Sequence, residues 1–340
     1  MAYSAAVIGV GGMGSAHCRE LVQTSEIELV AMADVDPVIL EEMGAQWNVP
    51  PERRYSSHEA MLRAEDPHCV TVASPTVFHA DHVLDAVRLA EPAVIFCEKP
   101  IATSVADGDS MVRACADNDV QLLINHSRRW IDSYQTLASL VGEDQILGDV
   151  RSVTATWKNE LLRNGTHLVD LLLSIMPGDA VLASGHQTAA GEFDDAIADD
   201  LDDGAAGGYV VFDDGAFMSI DLTLPRSIHT RTVTLVGTDG WMHIALQTGE
   251  WRYWERTDDG HTERTLDDIA DGWSDRGHAL SHAYTNVVGL LDGHADNRSP
   301  GTEAVDTLSV LVGLAISSET ASHVALPLVR PLRQVRVRTW

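Results

Sequence analysis

Short apolar runs, many of them β-branched, alternate along the first 127 positions with stretches whose apolar residues recur every three or four places. SAAVIGV (4–10), IELVAMAD (27–34), CVTVASP (69–75), AVIFCEKP (93–100) and VQLLINHS (120–127) read as strands. Between them, AHCRELVQ, PVILEEMGAQW, HADHVLDAVRLA (79–90) and VADGDSMVRACADN (105–118) carry helical spacing. Strands interleaved with helices of this length predict βαβ units and a parallel sheet covered on both faces. Right-handed crossovers bring the C-terminal ends of the strands to one edge, where ligands bind in such sheets.

From about residue 148 the dominant period becomes two. GDVRSVTATWK, AAGGYVVFDDGAFMSIDLTL and TRTVTLVGTDGWMHIAL alternate around DDG and TDG turns, which predicts a largely antiparallel sheet. Helical spacing returns at THLVDLLLSIM (166–176), HALSHAYTNVVGLLDG (278–293) and EAVDTLSVLVGLAISSETA (303–321). No Gly/Ser-rich linker separates the halves near 122–128, so two closely joined domains are expected, and no internal repeat is visible. The fold class is α/β: a dinucleotide-binding domain over 1–124, then an α+β domain over 125–340 with a large, mostly antiparallel open sheet. The second domain is expected to bind substrate and to support self-association.

The 340 residues include 51 acidic and 23 basic side chains, a formal net charge of −28. Phosphate recognition needs a basic stripe that this chain lacks, which excludes nucleic acid and argues against anionic membranes. Only two of the basic residues are lysines, Lys99 and Lys158. An acidic, lysine-poor surface points to a salt-loving source, where ions screen the self-repulsion. The densest acidic block, GEFDDAIADDLDD (191–203), reads as a solvated loop. Four cysteines without a CxxC pair suit reduced thiols, and with neither a basic n-region nor a long apolar run the expected location is the cytoplasm.

GVGGMG (9–14) places Gly9, Gly11 and Gly14 at GxGxxG spacing between a predicted strand and a predicted helix. Gly9 would allow the tight turn, Gly11 would admit a pyrophosphate, and Gly14 would let helix and strand approach. The amides of Gly12 and Met13 would open the helix whose N-terminus faces the phosphates. Asp34 ends the next strand and would accept hydrogen bonds from the adenosine ribose. This is the dinucleotide context of a Rossmann domain. Val35, Asp36 and Pro37 follow without an arginine, so NAD is favoured over NADP. Asp36 before Pro37 also reads as a helix N-cap.

Taken together, GxGxxG, Asp34, the S-P-x-x-x-H segment at 74–79, E-K-P at 98–100 and G-x-H-x-x-D at 165–170 resemble the glucose–fructose oxidoreductase / inositol dehydrogenase / rhizopine catabolism (Gfo/Idh/MocA) family. RRW (128–130) and NGTHLVDLL (164–172) extend the resemblance over nearly the whole chain. It implies that Lys99 is the active-site lysine and His167 the catalytic histidine, meeting at the domain interface. It further implies that Ser74 and His79 line the cofactor, that Glu98 and Pro100 shape the loop, with Glu98 and Lys99 beside the cofactor, and that Lys99–Pro100 is cis. Dimers or tetramers are implied as well. The family's usual D-x-G-x-H is not intact, because Arg163 stands at the aspartate position and Asn164 is the nearest polar substitute.

Chemistry supports the pair independently of resemblance. Oxidising a secondary alcohol removes a hydride and a proton; a histidine is a suitable base, and a lysine can stabilise the developing alkoxide. Arg128, Lys158, Arg163 and Asn164 are further candidates for substrate contact, with Arg163 suited to an anionic group. Trp130 is expected in the core and Arg129 at the surface. His79 and His82 stand at i, i+3, but no third ligand follows at suitable spacing, so no metal is expected. The resulting expectation is an NAD-dependent dehydrogenase acting on a sugar, sugar derivative or cyclic polyol. The rivals are a redox-cycling glycosidase, a reductase of a non-sugar carbonyl or imine, and a non-catalytic dinucleotide-binding regulator.

Overall fold

The computed structural model describes residues 2–158, 160–188, 200–224, 230–265 and 278–338. The chain forms two compact units. Among the described residues, the first comprises 2–127 with 278–305, and the second comprises those between 128 and 265 with 306–338. The segment 278–305 thus belongs to the first unit although it follows most of the second in sequence.

The first unit is built on six parallel strands: β1 (Tyr3–Ile8), β2 (Ile27–Ala33), β3 (Arg54–Tyr55), β4 (Cys69–Val72), β5 (Val94–Cys97) and β6 (Gln121–Ile124), in the order β3-β2-β1-β4-β5-β6. Every residue of β4 and β5 is buried, as a sheet covered on both faces requires. The crossovers are α1 (Gly12–Gln23), α2 (Pro37–Gln46), α3 (His58–Glu65), α4 (His79–Ala90) and α5 (Val105–Asp117). Side-chain caps start three of them: Asp36 accepts from the amides of Val38 and Ile39, Ser57 from Ala60, and Ser104 from Asp107. The strand β3 and helix α3 were not anticipated, because two residues offer no alternation and the eight of α3 only a short apolar face.

The returning segment carries α8 (Ala279–Leu291), which packs against α1 and β5. Farther along, Ser299 holds the edge strand β6: its Oγ donates to the Ile124 carbonyl at 2.6 Å, and its own carbonyl accepts from the Ile124 amide at 2.9 Å. Asn297 adds a side-chain bond to the Leu122 carbonyl. The helix α9 (Gly301–Thr320) begins in this unit and ends in the second.

The second unit is organised on a nine-stranded sheet. Its central strand is β7 (Val150–Lys158), which pairs parallel with Phe217–Leu224 and antiparallel with Thr232–Gly237; the remaining neighbours are antiparallel. The DDG turn at 213–215 places Gly215 at φ +84°, the left-handed region that favours glycine. α7 (Gly165–Leu173) and the C-terminal part of α9 cover one face. Gly185 and Gly208 are cross-strand partners beneath α9, and a Cβ on Gly185 would sit 2.1 Å from the Leu314 carbonyl oxygen. Two glycines inside strands are thus explained by close helix approach. Of the acidic block at 191–203, positions 191–199 lie outside the described residues. Among the described residues, no helix is long and apolar enough to cross a membrane.

Candidate active site

In the first unit, the candidate residues gather at the C-terminal edge of the sheet. Gly9 follows β1 at φ +82°, and a Cβ there would lie 2.8 Å from the Ser74 amide nitrogen. A Cβ on Gly14 would fall 1.8 Å from the Gly9 carbonyl oxygen, so the third glycine is required by the turn itself. By contrast, a Cβ on Gly11 would meet only Ile39 Cδ1 at 3.9 Å, and one on Gly12 nothing within 4 Å. The loop is therefore open at the two positions where a pyrophosphate would approach, and α1 presents its N-terminus there with Met13 exposed.

Asp34 closes the loop from β2. Its Oδ2 accepts from the Val10 amide at 2.8 Å and its Oδ1 from the Asp36 amide at 2.9 Å. A cavity of about 630 Å³ opens beside it, lined by Gly9, Asp34, Ser57, His58, Phe78 and His82 among others. Asp81, Glu59 and Asp85 also line it, so its charge is unfavourable to an extra phosphate. These residues fit an NAD molecule: an open glycine loop, a helix N-terminus, a ribose-side acid and a cavity beyond.

Ser74 and His79 take different parts. Ser74 lines the cavity and its Oγ is 2.8 Å from His82 Nδ1. The buried ring of His79 lies between the carbonyl oxygens of Ser74 (2.9 Å) and Pro100 (3.0 Å), tying the loops after β4 and β5 together. Burial lowers its pKa, against the opposing effect of those carbonyls. Of the i, i+3 pair His79 and His82, the one that lines the cavity is His82, which the sequence offered only as half of a metal pair. Burial, with help from the charges of His58 and His79, brings its pKa down to about 4. One group of potential metal-ligating side chains is present among the described residues, His58, Glu59 and Asp85, with ligand atoms within 4.8 Å of one another. Asp85 is already bound by His58 and Arg88.

Lys99 is half-buried on the loop after β5, and its peptide bond to Pro100 is cis. Glu98 turns inward. Its Oε1 receives His17 Nε2 at 3.0 Å and Asn125 Nδ2 at 2.7 Å, and its Oε2 receives the Lys99 amide at 3.2 Å. Burial alone would raise the Glu98 pKa, yet the bond and charge of His17, the Asn125 amide and the Lys99 charge bring it down to about 2.

In the second unit, His167 lies in the first turn of α7 and Asn164 is its N-cap residue. The Asn164 side chain donates to Glu160 Oε2 rather than capping the helix. The preceding turn is held by Asp203, which accepts from the amides of Leu162 at 2.6 Å and Arg163 at 3.0 Å. The Arg163 side chain is about half exposed, with its guanidinium 3.9 Å from Glu160.

One turn after His167, Asp170 is fully buried and paired with Arg129. This corrects the expectation that Arg129 is a surface charge: a carboxylate 41 positions away draws it inside. Trp130 is in the core as expected. Arg128 lies over the Trp157 ring at 5.5 Å from its centroid, and Arg231 approaches the same ring at 5.1 Å. The register explains the meeting: Ala155 pairs with Val233, so Trp157 and Arg231 share the face on which Leu222 supports the start of α7. Arg231 was missed by sequence reasoning, since only strand register reveals it. The side chain of Lys158 lies outside the described residues.

Residues 3–126 match the family model GFO_IDH_MocA, described as an oxidoreductase family with an NAD-binding Rossmann fold. A 2,7-anhydro-N-acetylneuraminate hydratase of Mediterraneibacter gnavus is 28% identical over 211 residues, which cover 55% of this chain and 54% of that protein. An inositol 2-dehydrogenase of Rhizobium meliloti is 25% identical over 150 residues, covering 44% of this chain and 43% of that one. The match therefore spans about half the length, or less, of these curated relatives. The WlbA dehydrogenase from Bordetella pertussis, solved with NADH and UDP-GlcNAcA, superposes with a TM-score of 0.80 at 21% identity, over 97% of this chain and all (100%) of that one. The glycine loop, Asp34 and the six parallel strands account for the match in physical terms: residues 3–126 form an NAD-binding Rossmann fold of the kind the GFO_IDH_MocA oxidoreductase model describes.

Proposed function

We propose that the protein is an NAD-dependent dehydrogenase that oxidises a secondary hydroxyl of a sugar, sugar derivative or cyclic polyol. The observation that carries this reading is Lys99: a half-buried lysine on a cis-proline loop at the ligand-binding edge of an NAD-binding sheet. When bound, NAD supplies the hydride acceptor. Lys99 would donate to the reacting oxygen and stabilise its negative charge, and His167 would take the hydroxyl proton. Arg128 and Asn164 would orient the substrate, with Lys158 and Arg163 as further contacts. Gly9, Gly11, Gly12, Met13 and Gly14 would hold the pyrophosphate, with Asp34 on the ribose and Ser74, Glu98 and His79 supporting the loops around the cofactor.

A homodimer or homotetramer in a salt-rich, reducing cytoplasm completes the proposal. The outer face of the open sheet supports self-association: Trp241 and Trp254 stack there at 3.6 Å, near the exposed Val236. Four free, buried cysteines suit a reducing compartment. A panel of sugars and polyols assayed for NADH formation at low and high salt tests the activity.

A second reading is favoured by the hydratase among the relatives. Here the same residues would oxidise the substrate transiently and return the hydride after elimination or hydration. Product formation without net NADH, dependent on bound NAD, distinguishes it.

A further inference from the structure

Behind Lys99 runs a chain of buried polar groups whose members come from five separate segments of the first unit. Thr71 on β4 meets the Tyr284 hydroxyl on α8 at 2.9 Å, and that hydroxyl meets His17 Nδ1 on α1 at 2.9 Å. His17 Nε2 reaches Glu98 Oε1, which also receives Asn125 Nδ2 after β6. All five residues are at most 6% exposed. An ionised carboxylate only accepts, so Nε2 carries a hydrogen and donates. Edge-on packing of Phe96 (5.2 Å) and Tyr284 (5.8 Å) fixes the His17 ring. A carboxylate anchored this firmly is a preformed charge, not a mobile one.

We propose that Glu98 is a positioning residue: the fixed counter-charge of Lys99, locked by His17 and Asn125, that keeps the lysine protonated and oriented for its work. This rests on the reading of Lys99 as the active-site lysine. Glu98 accepts the Lys99 amide with Oε2, and the Lys99 charge is among the influences that hold Glu98 ionised. Linkage is reciprocal, so the Glu98 charge stabilises the ammonium form of Lys99 by the same interaction. The other groups that face or feel this carboxylate are His17, Asn125, Tyr284, His79 and Cys97.

Because the chain holds only two lysines, the proposal can be tested without any substrate. Full-length protein labelled with ¹³C-lysine gives two side-chain resonances, and K99R identifies the one that belongs to Lys99. In E98Q the Lys99 midpoint is expected to fall by about one pH unit or more, with Lys158 unmoved. E98D retains the charge but withdraws it from His17 and is expected to give a smaller fall, which covers the case that E98Q does not fold. A Lys99 titration unchanged in the folded variants overturns the proposal. Failure of the dehydrogenase reading would show separately, as absence of NADH formation from every polyol. Where turnover is found, the alkaline limb of kcat/KM should move with the Lys99 midpoint in E98Q.

Discussion

Arg129 and Asp170 form a forked ion pair inside the second unit: Nε lies 2.9 Å from Oδ2 and Nη2 lies 2.8 Å from Oδ1. Asp170 follows His167 by one helical turn, so the pair fixes the part of α7 that carries the candidate base. Removing one member leaves the other charge buried without its partner. D170A is expected to lose about 3–5 kcal/mol of stability in denaturant unfolding. The double variant R129M/D170L should lose less than either single change. A loss below about 1 kcal/mol in D170A would contradict this account of the pair.

The glycine loop separates folding from binding. G14A forces a Cβ against the Gly9 carbonyl oxygen and should lower the melting temperature together with NAD affinity. G11A has room in the protein, so it should melt within a few degrees of the parent while binding NAD about tenfold or more weakly. Calorimetric melting and NAD titration on the same samples check both; equal loss of stability in the two variants would refute the distinction.

Cofactor choice should follow charge. Asp34, Glu59, Asp81 and Asp85 all line the cavity, and a 2′-phosphate would add negative charge beside them. NADP is expected to bind at least about tenfold more weakly than NAD, with the gap narrowing in D34S. Titration of both dinucleotides at one ionic strength is the check.

Acid should destabilise the fold in two stages. The His82 pKa is lowered in the folded state, so its contribution is complete above 6.5, its unfolded value, and is lost as the pH falls toward about 4. Glu98 is lowered from 4.5 to about 2, so its contribution is lost over that lower window. The Glu98 share is roughly 3 kcal/mol on linkage grounds. Unfolding midpoints measured from pH 8 to 2 should decline in both windows, with H82Q flattening the upper and E98Q the lower.

Legibility in the sequence followed the range of the interactions. The glycine loop, the Asp36 cap and the strand that leads to Lys99 depend on neighbours within a few positions, and each stands where spacing placed it, although the strand ends at Cys97 rather than running through the lysine. The short strand β3 and the Ser57-capped helix α3 were too brief to show periodicity. Arg129 with Asp170, and Thr71 with Tyr284 at a separation of 213 residues, depend on tertiary meeting. No local pattern marks Tyr284 as a member of the first unit, because α8 looks like any other amphipathic helix of the second half. Likewise, Arg231 reaches Trp157 only through the register of β7 with its antiparallel neighbour.

The role of Lys99 is read out by NADH formation from a sugar and polyol panel, at low and high salt, with the parent protein and K99A. The expected result is turnover of at least one polyol by the parent and a loss of about 100-fold or more in K99A, with NAD affinity within a few-fold. Tight NAD binding by the parent without turnover of any polyol, or undiminished turnover in K99A, would contradict it.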